Sequence, residues 1–128
     1  EGDGPIMGLL PVEMVAASKK SLTEMVDELL EDVGPALYER VDLRLSRPVA
    51  KAEMTEFLTK KAPAEIGGQK VDEISQRDGV KYIMADDSWL LIRPSGTEPV
   101  LRVYAEGRTQ AMVKALLGYG KTVAESVV

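Results

Sequence analysis

The sequence contains no cysteine and no histidine. Without thiols there is no disulfide frame, no thiolate nucleophile and no cysteine-ligated zinc. Without imidazole, Ser-His-Asp and Cys-His catalysis are excluded within this chain. Aromatics are scarce, with one Trp, one Phe and four Tyr, and acidic residues outnumber basic ones for a net charge of −5. Both features argue against a nucleic-acid partner, which needs a basic face and stacking rings. No apolar run approaches the roughly 18 residues that a membrane span requires. At 45% hydrophobic and 29% charged over 128 residues, what remains reads as an ordinary soluble globular chain. Its length allows one proper core, or a smaller core with an appendage.

The chain opens Glu1-Gly2-Asp3-Gly4-Pro5, with no initiator methionine, basic stretch or signal-peptide core. A helical pattern is already running by Ile6, so a piece of something longer is expected. Asp3 can cap a helix whose first turn holds Pro5, and Ile6, Leu9, Leu10, Met14 and Ala17 recur at helical spacing, widened by Val12 and Val15. Ser21-Leu22-Thr23-Glu24 fits a capping box; Leu22, Met25, Val26, Leu29, Leu30 and Val33 follow as one stripe up to Gly34-Pro35. These are two strongly apolar helices with no sheet to pack on, and that sheet is expected upstream.

Residues 38–45 alternate, Val41, Leu43 and Leu45 against Arg40, Asp42 and Arg44, as a strand or an extended linker would. Ser46-Arg47-Pro48 is read as a boundary. Ala50, Met54, Phe57 and Leu58 predict a third helix ending near Ala62-Pro63. After Gly67-Gly68 the period changes to that of strands, over 70–76, 80–85, 89–93 and 100–106, with Asp78-Gly79 as a hairpin turn. Thr109 can cap a last helix with Met112, Val113, Leu116, Leu117, Val123 and Val127 on its buried side. Gly118 and Gly120 weaken that helix unless they permit close packing. The predicted fold class is α+β: a four-stranded antiparallel sheet with helices on one face over 46–128, preceded by two helices and a linker over 1–45.

Chemistry concentrates in Arg93-Pro94-Ser95-Gly96-Thr97-Glu98-Pro99, between the last two strands. Pro94 fixes its own φ and pushes Arg93 to extended geometry. Gly96 lets successive N–H groups converge into an anion-binding nest. Ser95 and Thr97 add hydroxyl donors, and Arg93 a planar fork that matches phosphate oxygens. Glu98 would repel a phosphate and is read as orienting Arg93 or the loop backbone. Pro, Ser and Gly are also ordinary turn residues, so a plain hairpin connection stands beside the anion site on physical grounds. Neither a Walker lysine nor a dinucleotide fingerprint is present.

The string Leu91-Ile92-Arg93-Pro94-Ser95-Gly96-Thr97-Glu98-Pro99, with 101–107 after it, resembles the C-terminal domain of the α-D-phosphohexomutases. Gly67-Gly68-Gln69-Lys70-Val71-Asp72-Glu73-Ile74, Tyr38-Glu39-Arg40-Val41-Asp42 and Asp3-Gly4-Pro5-Ile6 also look like that family, so the likeness spans essentially the whole chain. The resemblance implies a cytoplasmic four-domain enzyme that interconverts hexose 1- and 6-phosphates, glucose first and mannose next. It works through a phosphoserine and a bisphosphate intermediate, with Mg2+ held by an acidic loop of the second domain. On that reading 1–45 is the remnant and linker of the third, α/β domain, and 46–128 is the fourth domain. The fourth anchors the phosphate that is not being transferred, a role that falls on Arg93, Ser95, Gly96 and Thr97, with Glu98 and Arg102 in support. Neither catalytic residues nor metal ligands are expected in this chain, which would be inactive alone. Its partners would be the phosphosugar and the upstream domains, with no membrane and no nucleic acid. A non-catalytic sugar-phosphate-binding module is the alternative, and an inert structural fragment a third reading. Asp86-Asp87 is read as a turn, and Trp89 as a core or edge anchor.

Overall fold

The computed structural model describes residues 2–96 and 98–126. It divides into two compact units, one ending at Pro35 and the other beginning at Ala36.

The first unit is helical. In α1 (Gly4–Ser18) the Asp3 side chain accepts from the Ile6 N–H at 3.2 Å, and a proline stands in the first turn. In α2 (Leu22–Val33) the capping box forms in both directions. Hydrogen bonds from the backbone and hydroxyl of Ser21 hold the Glu24 carboxyl below the usual glutamate range. Neither helix buries a residue; Ile6, Leu9, Val12 and Met14 of α1 and Leu22, Val26, Leu29 and Val33 of α2 are exposed. A helix gains most of its stability by burying an apolar face, and here those faces are uncovered.

The second unit contains β1 (Leu37–Arg44), α3 (Lys51–Lys60), β2 (Glu65–Ile66), β3 (Gln69–Ser75), β4 (Val80–Met84), β5 (Trp89–Pro94), β6 (Val100–Gly107) and α4 (Gln110–Ser126). The sheet is antiparallel throughout, in the order β1-β6-β5-β4-β3-β2. Six strands replace the four expected. The alternating segment read as a strand or linker is β1, in continuous register with β6 from Leu37↔Gly107 to Arg44↔Val100. Residues 37–44 therefore belong to the second unit's sheet, and not to a linker trailing the first. Alternation along a segment says nothing about whether a free edge awaits it. The other addition, β2, has only two residues, too few to show a period.

Alternate residues of the central strands point into the core. Val80, Tyr82 and Met84 of β4, Leu90 and Ile92 of β5, and Leu101, Val103 and Ala105 of β6 are buried. Met54 and Leu58 of α3 pack with them, as do Met112, Val113, Leu116, Leu117, Val123 and Ala124 of α4. Val127, expected on the same stripe, lies outside the described residues. Thr109 caps α4 as its position predicts, its hydroxyl accepting from the Met112 N–H at 3.2 Å. Among the described residues no helix is long and apolar enough to cross a membrane.

The two glycines of α4 play opposite parts. A Cβ on Gly120 would stand 2.5 Å from Val103 Cγ1, whereas one on Gly118 would meet nothing within 4 Å. Gly120 is the close-packing glycine that lets α4 lie on β6. Gly118→Ala is expected to raise stability by about 0.5–1 kcal/mol, and Gly120→Ala to lower it by about 1–3 kcal/mol. Urea unfolding of the two variants checks the contrast.

Tyr82 ties α3 to β4: its fully buried hydroxyl donates to the Leu58 carbonyl at 2.8 Å. Burial pushes its pKa well up, and that of Tyr119 in the same direction. The stabilisation is present below the ordinary tyrosine range, around pH 10. It is lost as pH rises above that value, because the unfolded chain ionises while the folded one does not. The thermal midpoint should fall steeply above about pH 10, and Tyr82→Phe should flatten that fall.

Candidate functional site

The loop after β5 is braced by three backbone bonds. The Ser95 N–H donates to the Val100 carbonyl at 2.8 Å, the Val100 N–H to the Glu98 carbonyl at 2.8 Å, and the Leu45 N–H to the Pro99 carbonyl at 2.8 Å. The last of these comes from the residue following β1, so the end of the edge strand helps to fix the loop. The Ser95 N–H is thereby committed to closing the loop. Gly96 shows none of the positive φ found at Gly67, Gly68 and Gly79. A Cβ there would touch nothing within 4 Å, so this glycine keeps space open and does not serve a left-handed turn. Thr97 lies outside the described residues.

Between this loop and the start of α3 is a cleft of about 620 Å³, lined by Arg93, Pro94, Ser95, Gly96 and Glu98 on one side and by residues 48–51 on the other. Ala50 is the N-cap of α3 and makes no side-chain capping bond. The first-turn donors are therefore not satisfied by their own cap, and a helix N-terminus favours anions.

Arg93 is paired with Asp78, which the sequence presents only as a turn residue. Its Nη1 lies 3.2 Å from Asp78 Oδ2, and Lys51 Nζ lies 3.1 Å from Asp78 Oδ1. Asp78 thus pairs with Arg93 from outside the loop, while the Glu98 carbonyl accepts within the loop backbone. Asp78 reaches this position because Gly79 lets the β3–β4 turn press against β5. Gly79 has φ +89°, and a Cβ on it would stand 2.5 Å from the Ile92 carbonyl oxygen and 3.1 Å from Arg93 Cα. Lys51 carried a faint sequence signal, since a cation in the first turn of a helix opposes the dipole. Asp78 carried none beyond its fitness for a turn.

Arg102 does not line the cleft but is registered opposite Arg93 on β5 and opposite Asp42 on β1. Directly opposed residues share a face of the sheet, so the fold places two arginines side by side. The Arg102 Nε is buried without a hydrogen-bond partner. The hydrogen bonds of Arg40, at 2.8 and 2.7 Å, hold the Asp42 carboxyl low, helped by the charges of Arg40 and Arg102. Elsewhere Asp86-Asp87 forms the expected turn, with the Ser88 N–H donating to Asp86 Oδ1 at 3.1 Å. Trp89 is half-buried on the sheet and donates to Glu106 Oε1 at 3.1 Å. Among the described residues no group of three or more Asp or Glu is arranged to hold a metal ion. The arrangement as a whole, two cations, the hydroxyl-bearing Ser95 and a helix N-terminus around one cleft, is suited to an oxyanion.

Residues 39–118 match the family model described as phosphoglucomutase/phosphomannomutase, C-terminal domain. The chain is 32% identical over 118 residues to a phosphoglucomutase/phosphomannomutase of Thermococcus kodakarensis, covering 92% of this chain and 23% of that protein. It is 34% identical over 114 residues to a probable phosphoglucosamine mutase of Methanosphaera stadtmanae, covering 89% and 24%. A phosphoglucomutase of Komagataeibacter xylinus is 30% identical over 128 residues, covering 89% and 22%. The chain thus spans about a quarter of the length of these relatives. With a family match over most of its length and the arginine loop built into its sheet, the chain belongs to the phosphoglucomutase/phosphomannomutase C-terminal domain family.

Proposed function

We propose that this chain anchors the non-transferred phosphate of a phosphosugar, as the C-terminal part of a cytoplasmic phosphohexomutase that interconverts hexose 1- and 6-phosphates. The observation that carries the reading is the cleft itself, with Arg93 and the loop facing the uncapped start of α3. The names of the relatives span glucose, mannose and glucosamine mutases. Their common element is the phosphate, and that is what the cleft is equipped to recognise. Glucose phosphate is the first sugar to try, and mannose phosphate the next.

Phosphoryl transfer depends mostly on positioning and charge stabilisation. Arg93 supplies the fork for two phosphate oxygens, and the loop hydroxyls of Ser95 and Thr97 supply further donors. Gly96 leaves room for the group to approach, and Arg102 strengthens the local field from its register position beside Arg93. Held in this way, one end of the substrate stays fixed while the other is presented to a phosphoserine elsewhere in the enzyme. Magnesium would neutralise charge on the transferring group. The residues of this cleft do not fit it, because Arg93 and Lys51 repel a cation; its ligands belong to the upstream domains.

Affinity should follow the phosphate and not the sugar. Glucose 1-phosphate, glucose 6-phosphate and inorganic phosphate are expected to compete for one site, each with Kd around millimolar, and free glucose not to compete. The chain should not interconvert the two glucose phosphates at any magnesium concentration. Turnover by the pure chain, or equal binding of glucose, would overturn the reading.

A further inference from the structure

We propose that Asp78, which stands beside this cleft without lining it, is its built-in counter-anion, occupying the two cations that a phosphate must engage, and that Lys51 is the second of those cations. The inference rests on the phosphate-anchoring role above and deepens it. One carboxylate bridges Arg93 Nη1 at 3.2 Å and Lys51 Nζ at 3.1 Å, each through its own oxygen. Two cations spaced to share the oxygens of a carboxylate are spaced to share two oxygens of a phosphate, whose geometry is similar. Both cations line the loop-side cleft.

The three side chains are 42%, 60% and 54% exposed for Arg93, Lys51 and Asp78. Exposed pairs of this kind are weak and exchangeable, so a dianion can displace Asp78 without breaking the fold. The carboxylate keeps Arg93 and Lys51 from repelling each other while the cleft is empty, and it sets a threshold that singly charged anions meet poorly. The backbone supports this placement. Gly79 is buried against Ile92 and Arg93 in a contact that no side chain would allow, which holds the Asp78 backbone beside the arginine whether or not ligand is bound.

The test is a titration of the full chain with glucose 1-phosphate, comparing wild type, Asp78→Asn and Lys51→Met. Asn-Gly is as good a hairpin dipeptide as Asp-Gly, so the first substitution removes charge and leaves the turn, which an unchanged thermal midpoint verifies. Asp78→Asn is expected to tighten binding about fivefold, the small sum of two exposed pairs. Lys51→Met should weaken binding by about the same factor, and the gain from Asp78→Asn should shrink as ionic strength rises. If wild type binds and Asp78→Asn binds equally or more weakly, Asp78 orients Arg93 and is not a competitor, and the inference is overturned. If Lys51→Met binds like wild type, the second cation is not part of the site. If neither wild type nor Asp78→Asn binds, the phosphate-anchoring role itself fails and the inference with it.

Discussion

Arg93→Ala is expected to weaken binding of glucose 1-phosphate by roughly ten-fold to a hundred-fold, the largest effect of any single change in the loop. A hydrogen bond to a charged group contributes about 1.5–3 kcal/mol, and Arg93 offers a fork able to make two. Arg93→Lys should fall between wild type and alanine, because an ammonium keeps the charge and loses the planar geometry. Neither change should cost much stability. The ion pair to Asp78 is open to solvent, and such pairs contribute little. Isothermal titration of the three proteins, with urea unfolding alongside, separates the loss of a ligand contact from a loss of fold. An alanine variant that binds as well as wild type would remove Arg93 from the site.

Gly79→Ala should lower stability by about 2–4 kcal/mol, combining an unfavourable positive φ with backbone crowding. The residue has φ +89°, and the new methyl would meet the Ile92 carbonyl oxygen at 2.5 Å. Backbone cannot step aside there without disturbing the β4–β5 ladder, where Val80 is paired with Ile92. Because the same turn carries Asp78, the substitution should also alter the Arg93 ion pair, so binding changes with stability. Asp78→Asn, on the same turn, should spare stability. Denaturant midpoints for the two variants provide the comparison, and a Gly79→Ala protein as stable as wild type would show that the turn does not press on β5.

Much of this was legible in the residues, because the signals were local. The Ser21–Glu24 box, the Asp78-Gly79 turn and the Thr109 cap each rest on contacts within a few residues. The arginine loop stood out because its residue types converge on one chemistry over a short stretch. What the sequence hid was non-local. The alternation of 37–44 looked the same for a strand as for a linker, and only the free edge of β6 decides between them. Lys51 and Asp78 are distant in sequence from Arg93 and from each other, and they meet it only once the β3–β4 turn and the start of α3 are packed. Nothing in the sequence announces the bond from the Ser95 N–H to the Val100 carbonyl. Gly96 invites a turn reading for the usual reason glycine occurs in loops, whereas here its lack of a side chain matters more than its φ.

The most direct measurement is an amide-shift titration of the chain with glucose 1-phosphate, with free glucose as control. The account predicts saturable shifts at Lys51, Ser95 and Gly96 with the phosphosugar and none with glucose. Equal shifts with both ligands, or none with either at tens of millimolar, would contradict a phosphate-anchoring cleft.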